Sequence, residues 1–390
     1  MGGERMSWQG LLLAAVHDAP GIARAAAARQ LGMSSGLATE TTARLVSAGL
    51  LAERPLPPDG QRGRPTTALH PHPRGPVVAA AAITHGTWRV AAVQLGGTTL
   101  TATVRPHRRD QREVLLAVGA ELGTLHRRFG PRIQAVAVAA PGTVVGSTLV
   151  HAPNLGWHDV DLSVLWPHYE GGHGFTAGND ATFAAVAEAR RGAAAGAGAA
   201  LHLYLDAGVG GVMLNAGRAV LGAHGTAGEF GHMPFGDPGL RCACGAMGCW
   251  NTSLNGYSAA RLLGDPPPAD EVGYLRGVLS AGRAGQRGAL GALGQIARSL
   301  GRGTAGLVNA LDPHVVTIGG LGRDLLAVAG EPAGQAYLAG LMSFRTPAPP
   351  VIPARLGDEA PLVGAAEEAF SLALSEQGLK NWTTRDPREG

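Results

Sequence analysis

The sequence predicts an N-terminal winged helix-turn-helix, mainly α, followed by a two-lobed α/β domain that carries a small metal-binding loop. Three observations predict it. Residues 1–74 hold short helical segments followed by a polar, glycine-containing hairpin pattern. From about Gly75 onward, apolar strands and amphipathic helices alternate in two series. All three cysteines of the chain fall between positions 242 and 249, ten to seventeen residues after His232.

Composition bounds the reading. At 390 residues, 45% hydrophobic and 16% charged, the chain is globular and long enough for two or three domains, each burying its own core. No apolar run reaches the roughly 18 residues that span a bilayer. The opening "MGGERMSWQG" has no apolar stretch ahead of a small-residue cleavage site, so a cytoplasmic location is expected. Three crowded cysteines suit metal ligation in a reducing compartment better than a disulfide framework. The net charge of +3 resides in residues 1–76, where eight arginines meet five acids, while the remainder balances at 24 against 24. A mild attraction to a polyanion is thus confined to the N-terminal fifth.

In that fifth, "MSWQGLLLAAVHDA" has apolar residues at helical spacing, Pro20-Gly21 breaks it, and "IARAAAARQL" gives a short second helix. "GMSS" then turns into "GLATETTARLVSAGLL". Gly32 can take the left-handed conformation, and Ser34 or Ser35 can cap the third helix, as a helix-turn-helix requires to present its recognition helix. Ser35, Thr39, Glu40, Thr42 and Arg44 are the candidate groove-facing residues of that helix. In the following wing, "RGRP" places Arg62 and Arg64 where they can enter a narrow minor groove, whose negative potential attracts arginine.

The α/β part begins with a meander, "GPVVAAAAITHGTWRVAAVQLGGTTLTATVRPH". An amphipathic helix "REVLLAVGAELGTLHRRFG" and a buried strand "IQAVAVAAPG" follow. The second series runs through "GFTAGND", the helix "ATFAAVAEARRGAA", strands "ALHLYLDAG" and "GVMLNAGRAVLG", and later the buried strand "HVVTIGG". The expected boundaries are 1–74 for the winged helix, 75–376 for the α/β domain with its metal loop at 231–251, and 377–390 for a polar C-terminal tail.

His232, Cys242, Cys244 and Cys249 supply one nitrogen and three sulfurs, the Cys₃His set of a tetrahedral zinc site. Gly239, Gly245 and Gly248 let the backbone turn around an ion. With four protein ligands no position is left for a reactive water, so the Zn²⁺ is expected to be structural.

Taken in order, "RGRPTTALHPHP", "APGTV", "HAPNLGWHD", "GNDATFAAVAEAR", "GVGGVMLNAGRAVLGAHGTAGEFGHM", "CACGAMGCW", "VVTIGG" and "IPARLGDEAPLVGAA" resemble the ROK family of repressors and sugar kinases, specifically its winged-helix transcriptional branch. The resemblance implies an actin-like, hexokinase-type (ribonuclease H-like) fold, a sugar pocket between the lobes, a homodimer or homotetramer, and operator DNA as partner. It assigns Asn179 and Asp180 to the family's Asn-Asp pair, and Glu229 and His232 to its sugar-contacting "GE-x-GH" segment. His232 would then serve zinc and sugar with one imidazole nitrogen each. Two residues after the last cysteine the family usually has a glutamate, and this chain has Asn251, which keeps a sugar-facing amide but loses a charge-assisted hydrogen bond.

Phosphoryl transfer needs groups around the metal-bound phosphates. The family's kinases supply them from an Asp-x-Gly-x-Thr turn after the first strand. Here "AAAITHGTW" has Ala82 and Thr84 in place of the aspartate and first glycine, and residues 60–109 contain neither Asp nor Glu. The expectation is a sugar-responsive transcriptional repressor of carbohydrate metabolism that is not an enzyme and has no catalytic residues. The alternatives are an ATP-dependent sugar kinase with an accessory DNA-binding domain, and a regulator controlled by a partner protein.

Overall fold

The computed structural model describes residues 7–55, 67–152, 155–167, 174–223 and 225–383. The chain divides into two compact units, residues 1–180 with 365–390, and residues 181–364. Among the described residues no helix is long and apolar enough to cross a membrane.

Three helices open the first unit: α1 (Trp8–Asp18), α2 (Arg24–Leu31), preceded by the short strand β1 (Ile22–Ala23), and α3 (Ser35–Ser47). Their ends are set by side chains and one glycine. Ser7 Oγ accepts from the Gly10 N–H, and Ser34 Oγ accepts from the Leu37 N–H, each satisfying a donor the first turn leaves open. Gly32 closes α2 at φ +67°, the left-handed conformation that makes the connection to α3 tight. Along α3, Ala38, Thr41, Thr42 and Leu45 form the buried stripe at helical spacing. Strands β2 (Leu51–Pro55) and β3 (Thr67–Pro71) pair antiparallel, and β1 joins on the other side of β3.

The main sheet of this unit draws on β4 (Val77–Ile83), β5 (Thr87–Gln94) and β6 (Thr98–Pro106), then on β7 (Ile133–Ala140) after helix α4 (Gln111–Phe129). Three strands, β8 (Thr143–Val145), β9 (Thr148–Ala152) and β10 (Trp157–Asp161), make a small separate sheet before β11 (Phe175–Asn179) returns to the main one. The order is β11-β7-β4-β5-β6, with β7 parallel to both β4 and β11. β4 is buried at every residue and β7 at all but one, which is why both read as unbroken apolar runs. Val114, Val118, Leu122 and Leu125 of α4 supply the other side of the core.

Helix α5 (Asp180–Arg191) leads into the second unit. Its sheet comprises β12 (Ala199–Leu205), β13 (Val209–Asn215), β14 (Arg218–Ala219), β15 (Val315–Gly320) and β16 (Val351–Pro353), ordered β14-β13-β12-β15-β16. Between β14 and β15 come α6 (Gly256–Leu263), α7 (Glu271–Arg283) and α8 (Arg287–Leu311), and α9 (Leu321–Gly340) follows β15. Leu201, Leu203, Val316 and Ile318 from the sheet bury against Leu293, Ile296, Leu300 and Leu307 of α8. Glu188, fully buried at the end of α5, accepts the backbone N–H groups of Ala193, Arg355 and Leu356.

The last elements among the described residues are α10 (Ala360–Ala373) and α11 (Glu376–Thr383). The segment expected to be a polar tail from residue 377 is therefore helical as far as Thr383. Leu379 is buried and the Trp382 indole N–H donates to Ala48 O at 2.8 Å, so two apolar anchors outweigh the polar composition. A second contact in the first unit joins the two ends of the chain. His17, in the last turn of α1, lies 2.9 Å through Nε2 from Glu367 Oε2 on α10, with side-chain exposures of 1% and 2%. Its Nδ1 accepts the Gly96 N–H at 2.9 Å, which places the ring proton on Nε2, facing the carboxylate. The ring also packs on Phe370 at 4.4 Å.

Glu367→Ala takes the 2.9 Å acceptor from the buried His17 Nε2–H and is expected to cost about 1–3 kcal/mol. Hydrogen exchange should show the loss concentrated in α1 amides; uniform loss, or none in α1, would show that the helix is held by something else.

Candidate functional site

The cysteine loop lies in the second unit. After a short turn at Phe230–His232 the chain runs to an isolated antiparallel bridge between Arg241 and Met247, and a second short turn at Trp250–Ser253 follows Cys249. Gly248 enables the return at φ +73°. His232 Nδ1 is 3.8 Å from Cys242 Sγ, Cys244 and Cys249 Sγ atoms are 3.6 Å apart, and the four ligand atoms lie within 4.8 Å of one another. A disulfide has sulfurs about 2.05 Å apart, so these are free thiols. The edges of a tetrahedron built on metal–sulfur bonds of about 2.3 Å are about 3.8 Å long. The four residues fit and could hold a metal ion. The two thiols of the pair differ: burial and the neighbouring thiols push Cys249 up to about 12, while a backbone hydrogen bond at Ala246 lowers Cys244.

The expected sugar contacts fall in two places. In the first unit, Asn179 ends β11 beside Ala140 of β7 and Asp180 is the first residue of α5. Asn179 Nδ2 donates to Gly142 O at 2.9 Å, which leaves Asp180 at the helix end where backbone amides favour a negative charge. In the second unit, Glu229 Oε2 is 3.9 Å from His232 Nε2, so the two imidazole nitrogens face the cysteines and the carboxylate respectively. Asn251 is nearby but partly engaged: its Oδ1 accepts the Val209 N–H at 2.6 Å. A Cβ on Gly231 would lie 2.4 Å from that same oxygen, so Gly231 is required by Asn251. Sequence reasoning assigned Asn251 to ligand alone and missed this anchor, whose only sequence signal is the glycine pattern on either side.

The β4–β5 turn is held by Thr84 Oγ1 donating to Thr87 O at 2.9 Å, with Ala82 buried in β4. On α3, Ser35, Thr39 and Glu40 are exposed. Thr42 corrects the expectation. It is 1% exposed and belongs to the buried stripe, because position 42 lies one turn from Ala38 and one from Leu45. Arg44 is exposed and bonds Glu40 Oε1 at 2.6 Å. Arg62 and Arg64 of the wing lie outside the described residues.

The ROK family model matches residues 83–371. A glucokinase of Streptomyces coelicolor is 31% identical over 262 residues, covering 62% of this chain and 82% of its own. A solved ROK family transcriptional regulator, a homolog of the E. coli MLC protein, superposes with a TM-score of 0.77 over 97% of this chain and 98% of its own, at 21% identity. A ROK family glucokinase from Streptomyces griseus, solved with glucose and AMPPNP, gives 0.63 over 76% and 99%, at 26% identity. These kinases overturn the expectation that the chain is not an enzyme. That expectation rested on one turn, whereas phosphoryl transfer is positioning and electrostatics that backbone amides and a metal ion also supply.

Cys244→Ser removes one thiolate from the four-ligand cluster and is expected to lower the metal content of the purified protein well below that of the unaltered chain, as read by elemental analysis. Equal metal content in both would remove Cys244 from the ligand set.

Proposed function

The chain belongs to the ROK family, and on that premise we propose that it is a sugar-responsive, DNA-binding transcriptional repressor that acts as a homodimer. The observation that carries the proposal is the unit α2–Gly32–α3 with its following β2–β3 pair, which precedes the family-matched segment. α3 presents Ser35, Thr39 and Glu40 on its exposed side, as a recognition helix of a winged helix-turn-helix does. Operator DNA is its partner, with the wing arginines Arg62 and Arg64 in the minor groove. A sugar or sugar derivative is bound through Asn179, Asp180, Glu229, His232 and Asn251. The metal is a structural zinc on His232, Cys242, Cys244 and Cys249. With Nδ1 toward the thiols and Nε2 toward Glu229, His232 links the metal loop to the sugar contacts.

The second reading is an ATP-dependent sugar kinase with an accessory DNA-binding domain. The glucokinase relatives favour it, and so does Asp180, whose place at a helix start suits a carboxylate that takes a proton from a sugar hydroxyl. An ATP-consumption assay over a panel of hexoses and amino sugars tests it directly: turnover with one sugar establishes kinase chemistry, and a genomic footprint establishes the operator.

Asp180→Asn keeps the shape of the side chain and removes its charge. The expected loss is about 1.5–3 kcal/mol of sugar affinity, the value of a hydrogen bond to a charged group, or roughly ten- to a hundredfold. DNA binding without sugar should stay unchanged. A calorimetric titration showing the same sugar affinity in the variant would take Asp180 out of the site and bring the partner-protein alternative forward.

A further inference from the structure

In the first unit a cavity of about 1350 Å³ opens at the C-terminal ends of α3 and α4, against α11. Arg44, Arg74, Arg127, Arg128, Arg132 and Lys380 line it, and the single carboxylate on its wall is Glu376. Lys380 bonds Glu376 at 2.7 Å and Arg44 bonds Glu40, so two of the six cations are compensated. Arg74, Arg127, Arg128 and Arg132 form no ion pair among the described residues.

Helix dipoles do not account for the cluster. Arg127 and Arg128 sit in the last turn of α4, where basic residues are commonplace. Arg74 and Arg132 come from other segments and face the same space. Arg132 is fixed there by Nε donating to Gly75 O at 3.1 Å and Nη2 to Pro73 O at 3.3 Å. Phe129 is flanked by the Arg128 and Arg132 guanidinium carbons at 5.2 and 5.9 Å from its ring centre. Burial, and then the charge of Arg74, hold Arg132 below the usual arginine value, the mark of like charges gathered in a partly dry place. Leu379, Trp382 and Phe129 give the cavity an apolar side.

We propose that this cavity binds a small polyanion bearing two or more phosphate groups, through the guanidinium groups of Arg74, Arg127, Arg128 and Arg132. Guanidinium forks match phosphate oxygens two at a time. A DNA duplex is the other polyanion to consider, and the position disfavours it. Recognition helices read bases with their N-terminal residues, and α3 lines the cavity only from its C-terminal half, through Ala43, Arg44, Leu45 and Ser47. A bound anion would tie the end of α3 to α4 and α11 and so change the affinity for DNA. That last consequence rests on the DNA-binding reading; the anion site does not.

The test is calorimetric titration of the full chain with sodium tripolyphosphate at fixed ionic strength. Saturable binding of one per chain is expected. Arg127→Gln with Arg128→Gln should weaken it at least about tenfold, as loss of charged hydrogen bonds does. Arg74→Gln, an exposed position, should weaken it independently, and Arg298→Gln on α8 should leave it unchanged. Absence of saturable binding, or equal binding by both arginine variants, overturns the proposal. So does displacement of tripolyphosphate by a random-sequence duplex whose own affinity falls in the same variants, which would make the groove a DNA surface. If tripolyphosphate binds as expected while no duplex is bound at any sequence, the anion site stands and the DNA-binding reading fails.

Discussion

The buried contact between His17 and Glu367 is the constraint on which the first unit depends, because it joins residues 350 positions apart and fixes where the N-terminal helices stand. A buried acid–base pair is weak as a source of net stability, since desolvation offsets most of the attraction. Its effect is on uniqueness. Glu367 can be satisfied where it is only by a donor, and His17 offers one only while the Gly96 N–H occupies Nδ1. Helix α1, the β5–β6 turn and α10 must therefore be in register together. The Trp382 bond to Ala48 adds a second tie at the end of α3. The three N-terminal helices are thus packed into the same unit as the β4–β7 sheet.

The second unit has an analogous centre in Asn251. Its acceptor oxygen holds the start of β13 through Val209, and the contact leaves room for nothing larger than glycine at 231. His232 follows Gly231 directly and Trp250 follows Cys249, with the indole N–H donating to Ser299 O on α8. The cysteine loop is accordingly anchored on both sides by buried contacts, and its ligand atoms are brought near a tetrahedral arrangement by the protein backbone. Metal binding to such a loop spends little on ordering the chain, because the two anchors already restrict it.

Two polar groups in the interior show how the α5–β12 region is specified. Glu188 accepts three backbone N–H groups from segments 167 residues and more away as well as from its own turn. Burial lowers His202 to about 4, so its ring is neutral, and Nδ1 meets Thr317 Oγ1 at 2.8 Å across the β12–β15 pair. Neither group lies in a sequence motif. Each satisfies backbone or side-chain atoms that the fold would otherwise leave buried and unpaired.

What was legible in the sequence follows the range over which each residue acts. Gly32 and Ser34 act on the adjacent turn, and both their conformation and their capping role could be read locally. The cluster that could hold a metal ion was legible because residue type and spacing carry that chemistry, even with nine residues between His232 and Cys242. Thr42 was misplaced because a polar residue on a partly polar helix gives no phase, and the buried stripe of α3 is set by what packs beneath it. The end of the chain was misjudged for the same reason: in "SEQGLKNW" one leucine and one tryptophan are a faint pattern until Ala48 supplies the acceptor. The missing carboxylate in the β4–β5 turn was equally plain in the sequence, yet it spoke only of one group among the many that position a phosphate. A local absence constrains local chemistry. Activity belongs to an arrangement of distant residues, and relatives of the whole domain inform on that arrangement in a way that a single turn does not.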